Sequence, residues 1–314
     1  MNDAYDVIVV GGGPAGLSGA LTLTRARRSV LVIDAGEPRN APAAGVHGFL
    51  TRDGTSPAAL LAAGRQEVVG YGAHVVPGRV RAATVDRDGF LVSLDDARTV
   101  RARRLLVTTG LVDELPDVPG VRERWGRDVL HCPYCHGWEV RDVPIGVLAT
   151  GPRAVHQALL FRQWSDDIVF FLHTGPPLTG EQAEQLEARA VTVVEGRVAG
   201  VEITDDHLTG VRLQRGVVVP RAALAVTPRF VARADVLSSL GLEAAEHPLG
   251  VGTYVASDPT GLTGVPGVWV AGNVADPMSQ VIGAAASGTV AAAAINADLV
   301  LEDVRRAVTA RAGV

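Results

Sequence analysis

Short apolar runs alternate with helical patterns along the chain. Residues 7–10 are uniformly apolar, which is typical of a strand buried on both faces of a sheet. Small and apolar residues then predict a helix as far as about Arg27, and a second apolar run at residues 30–33 ends at Asp34. These segments predict a β-α-β unit, which is followed by a helix over residues 57–71 and by several short strands.

A second β-α-β unit is predicted in the middle of the chain, where residues 145–149 form a strand, residues 152–164 a helix and residues 168–172 another strand. The last apolar run, residues 267–271, precedes a helix predicted over residues 280–300. Strands that alternate with helices form parallel sheets covered by helices, and a length of 314 residues suggests two domains. We therefore predict an α/β fold with two Rossmann-like nucleotide-binding domains of three-layer ββα architecture.

Charge and composition exclude several classes of partner. The chain carries 29 basic and 34 acidic residues, a net charge of −5, without a long run of like charges, which argues against nucleic acid and anionic membrane surfaces. No basic-then-apolar signal segment precedes the first strand, and no apolar stretch of membrane-spanning length is free of Gly, Pro or charge. We therefore expect a cytoplasmic protein that binds neither nucleic acid nor a membrane.

Gly11, Gly13 and Gly16 form a G-x-G-x-x-G pattern between the first strand and the first helix. Glycines at this spacing allow a tight turn, the approach of the backbone to a pyrophosphate and close packing of the helix on the strand. Pro14 suits the first helical turn, where a missing N–H is harmless. Asp34 follows about 20 residues later, where a carboxylate can bind a ribose hydroxyl. The pattern predicts a dinucleotide site; the alternative is a Gly-rich packing turn.

The chain has two cysteines, Cys132 and Cys135, and a histidine flanks the pair on each side, His131 and His136. The C-x-x-C spacing is typical of a redox disulfide, and a thiol with a pKa near ~8.5 needs a neighbouring base or cation to ionise at neutral pH. An imidazole meets that need, so both histidines are candidate catalytic bases. The alternatives are a structural zinc site, for which the sequence shows no second ligand pair, a structural disulfide, which conflicts with a cytosolic location, and chance.

Two further strand ends bear on nucleotide binding. Gly272 and Asn273 follow one predicted strand, and the next helix begins near Gln280, where its N-terminus could stabilise negative charge on a reduced cofactor; an ordinary close-packed helix is the alternative. In the central β-α-β unit only Gly151 remains of the phosphate-binding glycines, and no arginine follows the second strand to meet a 2′-phosphate. That unit is therefore predicted to bind NADPH poorly or not at all.

Over nearly its full length the chain resembles the low-molecular-weight thioredoxin reductases, a family of flavoproteins. The resemblance is carried by GGGPAG at residues 11–16, TTG at residues 108–110, the C-x-x-C pair, and AGN at residues 271–273 followed by a glutamine. It implies FAD as the cofactor. The residues implied to bind FAD are Gly11, Gly13, Pro14, Ala15, Gly16, Asp34, Val80, Thr109, Gly110, Gly272, Asn273, Gln280 and Val281.

The resemblance also implies a domain organisation. An FAD-binding domain in two parts, residues 1–112 and 242–314, surrounds a central NADPH-domain-like module of residues 113–241, which carries the C-x-x-C pair and a degenerate nucleotide site. In that family the second cysteine, here Cys135, faces the flavin, so Cys132 is implied to exchange with the substrate. The family commonly forms homodimers, and we expect the same here.

Three departures from the family pattern point to a subgroup. His136 stands where the family has an aspartate after the second cysteine, Asn273 replaces an aspartate at the FAD, and the NADPH glycines and arginines are lost. In these features, and in the string HCPYCHGWE at residues 131–139, the chain is similar to the dithiol oxidases of gliotoxin and holomycin biosynthesis, especially the holomycin type. Those enzymes close a disulfide in a small molecule, which implies a role in antibiotic biosynthesis and self-resistance.

The resemblance implies a series of thiol–disulfide exchanges. His136 or His131 deprotonates a small-molecule dithiol, its thiolate attacks Cys132, and the second substrate thiol releases a cyclic disulfide. The electrons pass through Cys135 to FAD and then to O2, which becomes hydrogen peroxide. Two other functions stay open: an NADPH-dependent thioredoxin reductase, or a variant with another reductant such as a ferredoxin, and a non-catalytic flavin-binding redox sensor.

Four more residues are candidates near the redox pair. His47, Phe49 and Tyr134 are candidates for the lining of a substrate pocket, with ordinary packing or surface positions as the alternative. Trp138 either covers the active turn or belongs to the core. No set of metal ligands is predicted.

Overall fold

The computed structural model describes residues 3–312, and the chain divides into two compact units. The outer unit, as we call it, contains the chain up to Ala41, Pro57–Val112 and the chain from Phe230 onward. The central unit contains Pro42–Ser56 and Asp113–Arg229. Each unit is built around its own parallel sheet.

The predicted elements appear in the predicted order, together with further strands and helices that the sequence did not indicate. As far as residue 114 they are strands β1 (Ala4–Val10), β2 (Val30–Asp34), β3 (His74–Pro77), β4 (Val80–Asp86), β5 (Gly89–Leu94), β6 (Thr99–Val107) and β7 (Leu111–Glu114), with helices α1 (Pro14–Arg25) and α2 (Pro57–Gly70). The middle of the chain forms α3 (Val121–Arg124), β8 (Val129–Leu130), α4 (Pro133–His136), β9 (Ile145–Leu148), α5 (Ala154–Phe161), β10 (Ile168–Phe171), α6 (Gly180–Ala188), β11 (Thr192–Val194), β12 (Val198–Thr204), β13 (His207–Leu213), β14 (Val218–Pro220) and β15 (Ala223–Ala225). The remaining elements are β16 (Arg229–Ala232), α7 (Asp235–Ser238), β17 (Ala245–Glu246), β18 (Thr253–Tyr254), β19 (Val268–Val270), a 3-10 turn (Gly272–Val274) and α8 (Val281–Ala312).

The sheet of the outer unit is parallel in the order β3-β2-β1-β6-β19, and β5 and β4 extend β6 as an antiparallel meander. Val10 of β1 and Val270 of β19 both pair with Val107 of β6. The carboxyl ends of these three strands therefore meet at one edge of the sheet. In open α/β sheets that edge is where ligands bind.

Both faces of this sheet are buried, which explains the uniformly apolar strands. In β1, Ile8 and Val10 face one core, while Val7 and Val9 face a second core formed with α1 and α8. Side chains of a strand alternate between the faces, so a strand covered on both sides has no polar position to expose. The prediction of doubly covered parallel strands is confirmed.

The central unit repeats this architecture on a smaller scale. Its parallel sheet has the order β11-β10-β9-β15-β8, and the antiparallel strands β12, β13 and β14 form a second small sheet. Phe161 of α5 and Phe170 of β10 belong to one buried cluster, and Phe171 of the same strand belongs to the cluster under β12 and β13. The predicted α/β class with two Rossmann-like folds is confirmed.

The boundaries of the units differ from the predicted ones in two places. Residues 230–241, which we predicted in the central module, lie in the outer unit, because Val236 and Leu237 of α7 join the core that holds Val255 and Val274. Pro42–Ser56, which we predicted in the first FAD-binding segment, belongs to the central unit. A loop has no periodic pattern of apolar residues, so its sequence does not indicate which of the two units it joins.

Helix α8 is longer than predicted, since it continues to Ala312. Among the described residues it alone is long and apolar enough to cross a membrane by length and composition, and 33% of that stretch is buried inside the protein. Its buried face, which includes Ala291 and Ile295, joins the core shared with Leu17 and Ala20 of α1. The expectation that the chain binds no membrane stays a prediction.

The crossing of α8 over α1 depends on glycine. A Cβ added at Gly288 would lie 2.0 Å from the carbonyl oxygen of Ala15, so any larger residue must push the helices apart. We expect Gly288→Ala to lower the free energy of unfolding by on the order of 2 kcal/mol in denaturant titrations, the usual cost of overpacking.

Gly70→Ala is the matched control for this substitution, because Gly70 ends α2 and a Cβ there meets no atom within 4 Å. We expect it to change the same free energy by no more than about 0.5 kcal/mol. Equal stability of the two variants would contradict the close contact between α1 and α8.

Candidate redox site and dinucleotide-binding turn

Cys132 and Cys135 lie at the start and within the single turn of α4. The backbone N–H groups of Cys135 and His136 both donate to the carbonyl oxygen of Cys132, at 3.1 Å each, which fixes the turn. The Cys135 thiol contacts the Cys132 sulfur at 2.7 Å, and both residues are half-buried. The two sulfurs are therefore placed to form and open a disulfide without a rearrangement of the backbone.

Aromatic residues surround this turn on the outside. A Cβ at Gly137 would lie 2.9 Å from the Trp164 ring, and Tyr134 packs edge-on against the same ring with centroids 5.7 Å apart. Tyr134 is 62% exposed and Trp138 is 65% exposed, with the Arg141 guanidinium 4.1 Å from the Trp138 ring. The alternative that Trp138 belongs to the core is wrong, because its ring lies on the surface under a cation.

The two flanking histidines have different environments. His131 Nδ1 lies 3.1 Å from the carbonyl oxygen of Val226, and Gln157 donates to the carbonyl oxygens of both His131 and Val226. His136 Nε2 is buried, and within residues 3–312 no hydrogen-bond partner reaches it. Burial lowers the pKa of His136, and His47 lowers it further, while the carboxylate of Glu139 acts in the opposite direction. A neutral imidazole is therefore the favoured form of His136.

A cavity of about 350 Å³ opens beside this turn within the central unit. A small-molecule site is usually of this size. Its lining consists of Pro42, Ala44, Gly45, His47, Gly126, Arg127, His136, Glu139 and Val140. His47 thus lines a pocket, which is one of its two predicted alternatives, the other being an ordinary packing or surface position. Phe49 and Tyr134 are not among the lining residues.

Glu139 is a pocket residue that sequence reasoning missed. It stands three residues after His136, in the turn that follows α4, and both residues line the same cavity. That spacing was the available signal. Within the described part of the chain, no group of three or more His, Cys, Asp or Glu side chains is placed to share a metal ion.

The glycine-rich turn of the outer unit has the shape of a dinucleotide-binding turn. Gly11 has a φ of +108°, and a Cβ there would lie 2.5 Å from the carbonyl oxygen of Thr108 on the neighbouring strand. A Cβ at Gly16 would lie 1.9 Å from the carbonyl oxygen of Gly11. Both positions require glycine for steric reasons. Gly13, in contrast, has open space where a Cβ would be, which leaves its backbone accessible.

The residues around that turn fit a ligand that carries a pyrophosphate. Helix α1 begins at Pro14 and Ala15, its N-cap makes no side-chain hydrogen bond, and its first turn holds no acidic residue. An uncapped helix N-terminus attracts phosphate oxygens. Asp34 accepts a hydrogen bond from the Gly12 N–H at 3.1 Å and pairs with Arg65 at 2.5 Å, at the end of β2 where a ribose would lie.

Some of the other predicted cofactor residues follow strands whose carboxyl ends meet at this edge. Thr109 and Gly110 follow β6, and the Thr109 hydroxyl donates to the carbonyl oxygen of Arg233 at 2.6 Å. A Cβ at Gly272, which follows β19, would lie 2.8 Å from that of Ala15. The three remaining positions are at the beginnings of β4 and α8: Val80, Gln280 and Val281.

Asn273 uses its amide in a way that an aspartate could not. Its Nδ2 donates to the carbonyl oxygens of Asp276 at 3.0 Å and Ser279 at 2.9 Å, and its Oδ1 accepts from Arg39 at 3.3 Å. A carboxylate has no hydrogen to donate to two carbonyl oxygens. This turn therefore explains why the chain departs from the aspartate of the thioredoxin reductase pattern.

Comparison with known proteins agrees with this arrangement. The sequence profile described as pyridine nucleotide-disulphide oxidoreductase matches residues 5–292. The chain is 32% identical over 310 residues to thioredoxin reductase sirT of Leptosphaeria maculans, with 93% of each chain covered. The crystal structure of HlmI is 49% identical with a TM-score of 0.92, covering 99% of this chain and 98% of that one. An oxidoreductase from Agrobacterium tumefaciens is 37% identical with a TM-score of 0.89, covering 95% and 99%.

These similarities extend over both units, so they include the redox turn and the glycine-rich turn. Thioredoxin reductase relatives imply a flavin cofactor, and the resemblance drawn from the sequence motifs is confirmed. The chain is an oxidoreductase that belongs to the pyridine nucleotide-disulphide oxidoreductase family, with a thioredoxin reductase-like fold.

Proposed function

We propose that this protein is an FAD-dependent dithiol oxidase that closes an intramolecular disulfide in a small-molecule natural product of the holomycin type. O2 is the final electron acceptor and becomes hydrogen peroxide. The observation that carries the proposal is the buried, unpartnered Nε2 of His136 in the wall of a cavity of about 350 Å³. A base whose Nε2 has no partner within residues 3–312, which directly follows Cys135 and belongs to the lining of a small pocket, suits the deprotonation of a substrate thiol.

The residues of the central unit account for the exchange steps. His136 Nε2 takes the proton of one substrate thiol, and the thiolate attacks Cys132 of the oxidised pair, so that Cys135 leaves as a thiolate. The second substrate thiol then attacks the substrate sulfur of this mixed disulfide. A cyclic disulfide forms, Cys132 departs, and the enzyme pair has gained two electrons and, after protonation, two protons. FAD bound at the outer unit would accept this electron pair, and O2 would then reoxidise the flavin.

The central β-α-β unit gives little support for NADPH as the electron donor. Gly151 is the one glycine left in the turn after β9, which α5 follows at Ala154. His173 follows β10, where an arginine would meet a 2′-phosphate, and its Nδ1 accepts a hydrogen bond from the Val198 N–H at 3.0 Å. Burial lowers the pKa of His173, so this residue offers a neutral ring rather than a cation to a phosphate.

Two further parts of the proposal concern the state of the enzyme in the cell. We place it in the cytoplasm, because structural disulfides are rare there and a C-x-x-C pair in that compartment is more often catalytic. We also propose a homodimer, on the resemblance to the thioredoxin reductases. Production of a toxic dithiol in the same cell gives the reaction a role in self-resistance.

Anaerobic mixing distinguishes the oxidase from its rivals. We expect dithiothreitol alone to bleach the visible flavin absorbance of the purified holoenzyme, and NADPH alone to leave it unchanged. Cys132→Ser and Cys135→Ser are each expected to slow the bleaching by about 10²-fold or more, because either change removes the exchangeable disulfide. Rapid bleaching by NADPH would support a reductase instead, and no bleaching by either reagent would support a passive flavoprotein.

The pH dependence of this bleaching tests the choice of base. Because burial lowers the pKa of His136, the ring stays neutral into mildly acidic solution, and the rate falls only below a midpoint that is lower than ~6.5. We expect His136→Gln to remove this acid limb and to lower the rate by about 10²- to 10⁴-fold. His131→Gln is the matched comparison: loss of its contact with Val226 is expected to reduce thermal stability and to leave the acid limb in place. The opposite pattern would assign the base to His131.

FAD retention tests the role of Asn273. We expect Asn273→Asp to destabilise the turn by about 1–3 kcal/mol, because two carbonyl oxygens lose their donor, and to release FAD at a lower urea concentration, followed by flavin fluorescence. Asn296→Asp on α8 is the control, since its Oδ1 only accepts, from Arg28 at 2.8 Å. Equal FAD retention in the two variants would mean that the turn does not support the cofactor.

A further inference from the structure

The segment Pro42–Ser56 leaves the outer unit after β2 and forms a closed loop within the central unit. The Val46 N–H donates to the Thr55 carbonyl, and the Gly54 N–H donates to the Val46 carbonyl, both at 2.8 Å. Where the loop begins, a Cβ added at Gly126 would lie 2.8 Å from the Pro42 side chain. We call this segment the pocket loop, because it forms one wall of the cavity beside the redox pair.

His47 is held between two carboxylates at the inner side of the pocket loop. Its Nδ1 lies 3.3 Å from Asp53 Oδ2, and its Nε2 lies 3.4 Å from Glu139 Oε1. Asp53 is itself fixed by the Gly48 N–H, which donates to Oδ1 at 2.8 Å. The loop therefore orients the His47 ring through Asp53, and this orientation places Nε2 next to Glu139.

The pocket contains few charged groups that could act on His136. His47 and Glu139 line it together with His136, and Arg127 is the remaining charged residue of the lining. Arg127 forms a salt bridge with Asp206, so its positive charge is partly balanced there. On the chain itself, the nearest ionisable neighbour of His136 is the redox pair that precedes it. Glu139 is thus the group that could convert His136 into a cation.

We propose that His47 is a positioning residue that holds the Glu139 carboxylate and thereby keeps His136 in its neutral, proton-accepting form. This inference rests on the function proposed above, in which His136 accepts the proton of the substrate thiol. His47 Nε2 lies 3.4 Å from Glu139 Oε1 on the loop side, and a carboxylate held by this contact attracts a proton on His136 less strongly. Without His47, Glu139 stabilises the imidazolium form of His136, and an imidazolium cannot accept a proton.

Glu139 and His47 act on the pKa of His136 in opposite directions, and this effect can be measured directly. A carboxylate within a few ångströms favours the charged form of a histidine, and a protonated imidazole disfavours it. Substitution of His47 and substitution of Glu139 should therefore move the pKa of His136 in opposite directions. If the two substitutions merely loosened the fold, both would shift the pKa of His136 in the same direction.

Histidine NMR of the full-length holoenzyme tests this without any substrate. With ¹³C-labelled histidine, and with the His136 signal assigned from its loss in His136→Gln, we expect His47→Gln to raise the pKa of His136 by on the order of 0.5–1 pH unit and Glu139→Gln to lower it. His207→Gln is the matched control, since His207 is an exposed histidine of the same unit, and it should leave the pKa unchanged. An unchanged pKa of His136 in folded His47→Gln overturns the proposal.

Asp53→Asn is the second variant, and it decides the question if His47→Gln does not fold. It keeps an acceptor for the Gly48 N–H and weakens the contact that orients His47 towards Glu139, so the pKa of His136 should rise in the same direction and by less. A fall or no change in this variant also overturns the proposal.

A kinetic measurement separates this proposal from the proposed function. If both are right, the acid limb of flavin bleaching by dithiothreitol in His47→Gln moves to higher pH by the same amount as the NMR titration, and the rate recovers at alkaline pH. If the NMR pKa rises while the acid limb stays in place, His47 positions Glu139 as proposed, and the assignment of His136 as the base is wrong.

Discussion

The candidate site depends on the desolvation of one imidazole. His136 has a buried Nε2 without a hydrogen-bond partner in the described part of the chain, and desolvation penalises the protonated ring more than the neutral one. A protein normally satisfies a buried nitrogen, so an unsatisfied one marks a place where a ligand atom completes the hydrogen bonding. The turn that carries it is short, and its geometry follows from two N–H groups bonded to the Cys132 carbonyl. The proposed base and the two sulfurs therefore belong to one short turn.

Each unit solves a separate chemical problem with the same architecture. In the outer unit, glycine at Gly11 and Gly16 is required by contacts of backbone with backbone, so the phosphate-binding turn is a consequence of close packing as much as of ligand recognition. In the central unit the corresponding turn has lost its glycines, and the chemistry lies instead at α4. The same β-α-β scaffold thus supports a dinucleotide-binding turn in one unit and a redox turn in the other.

Sequence reasoning found the features that are encoded locally. Uniform apolar runs, the glycine spacing and the C-x-x-C pair each depend on neighbours in the chain, so they could be read before the structure. It did not find Glu139 or the membership of Pro42–Ser56 in the central unit, because both depend on which residues meet in space. It also left His131 and His136 equivalent, since flanking positions look alike in a sequence. What distinguishes them is their surroundings: His131 Nδ1 contacts the Val226 carbonyl, whereas His136 Nε2 has no hydrogen-bond partner among residues 3–312.

The pocket loop has a consequence for how such an enzyme can change its substrate. Its fifteen residues are a single insertion between β2 and α2, closed on itself by hydrogen bonds between Val46, Gly54 and Thr55. Replacement of this one insertion would redesign a cavity wall while every residue of the cysteine turn and of the glycine-rich turn stayed the same. This part of the cavity wall is therefore encoded in a different stretch of the gene from the cysteine turn, and it can diverge under selection while that turn is conserved.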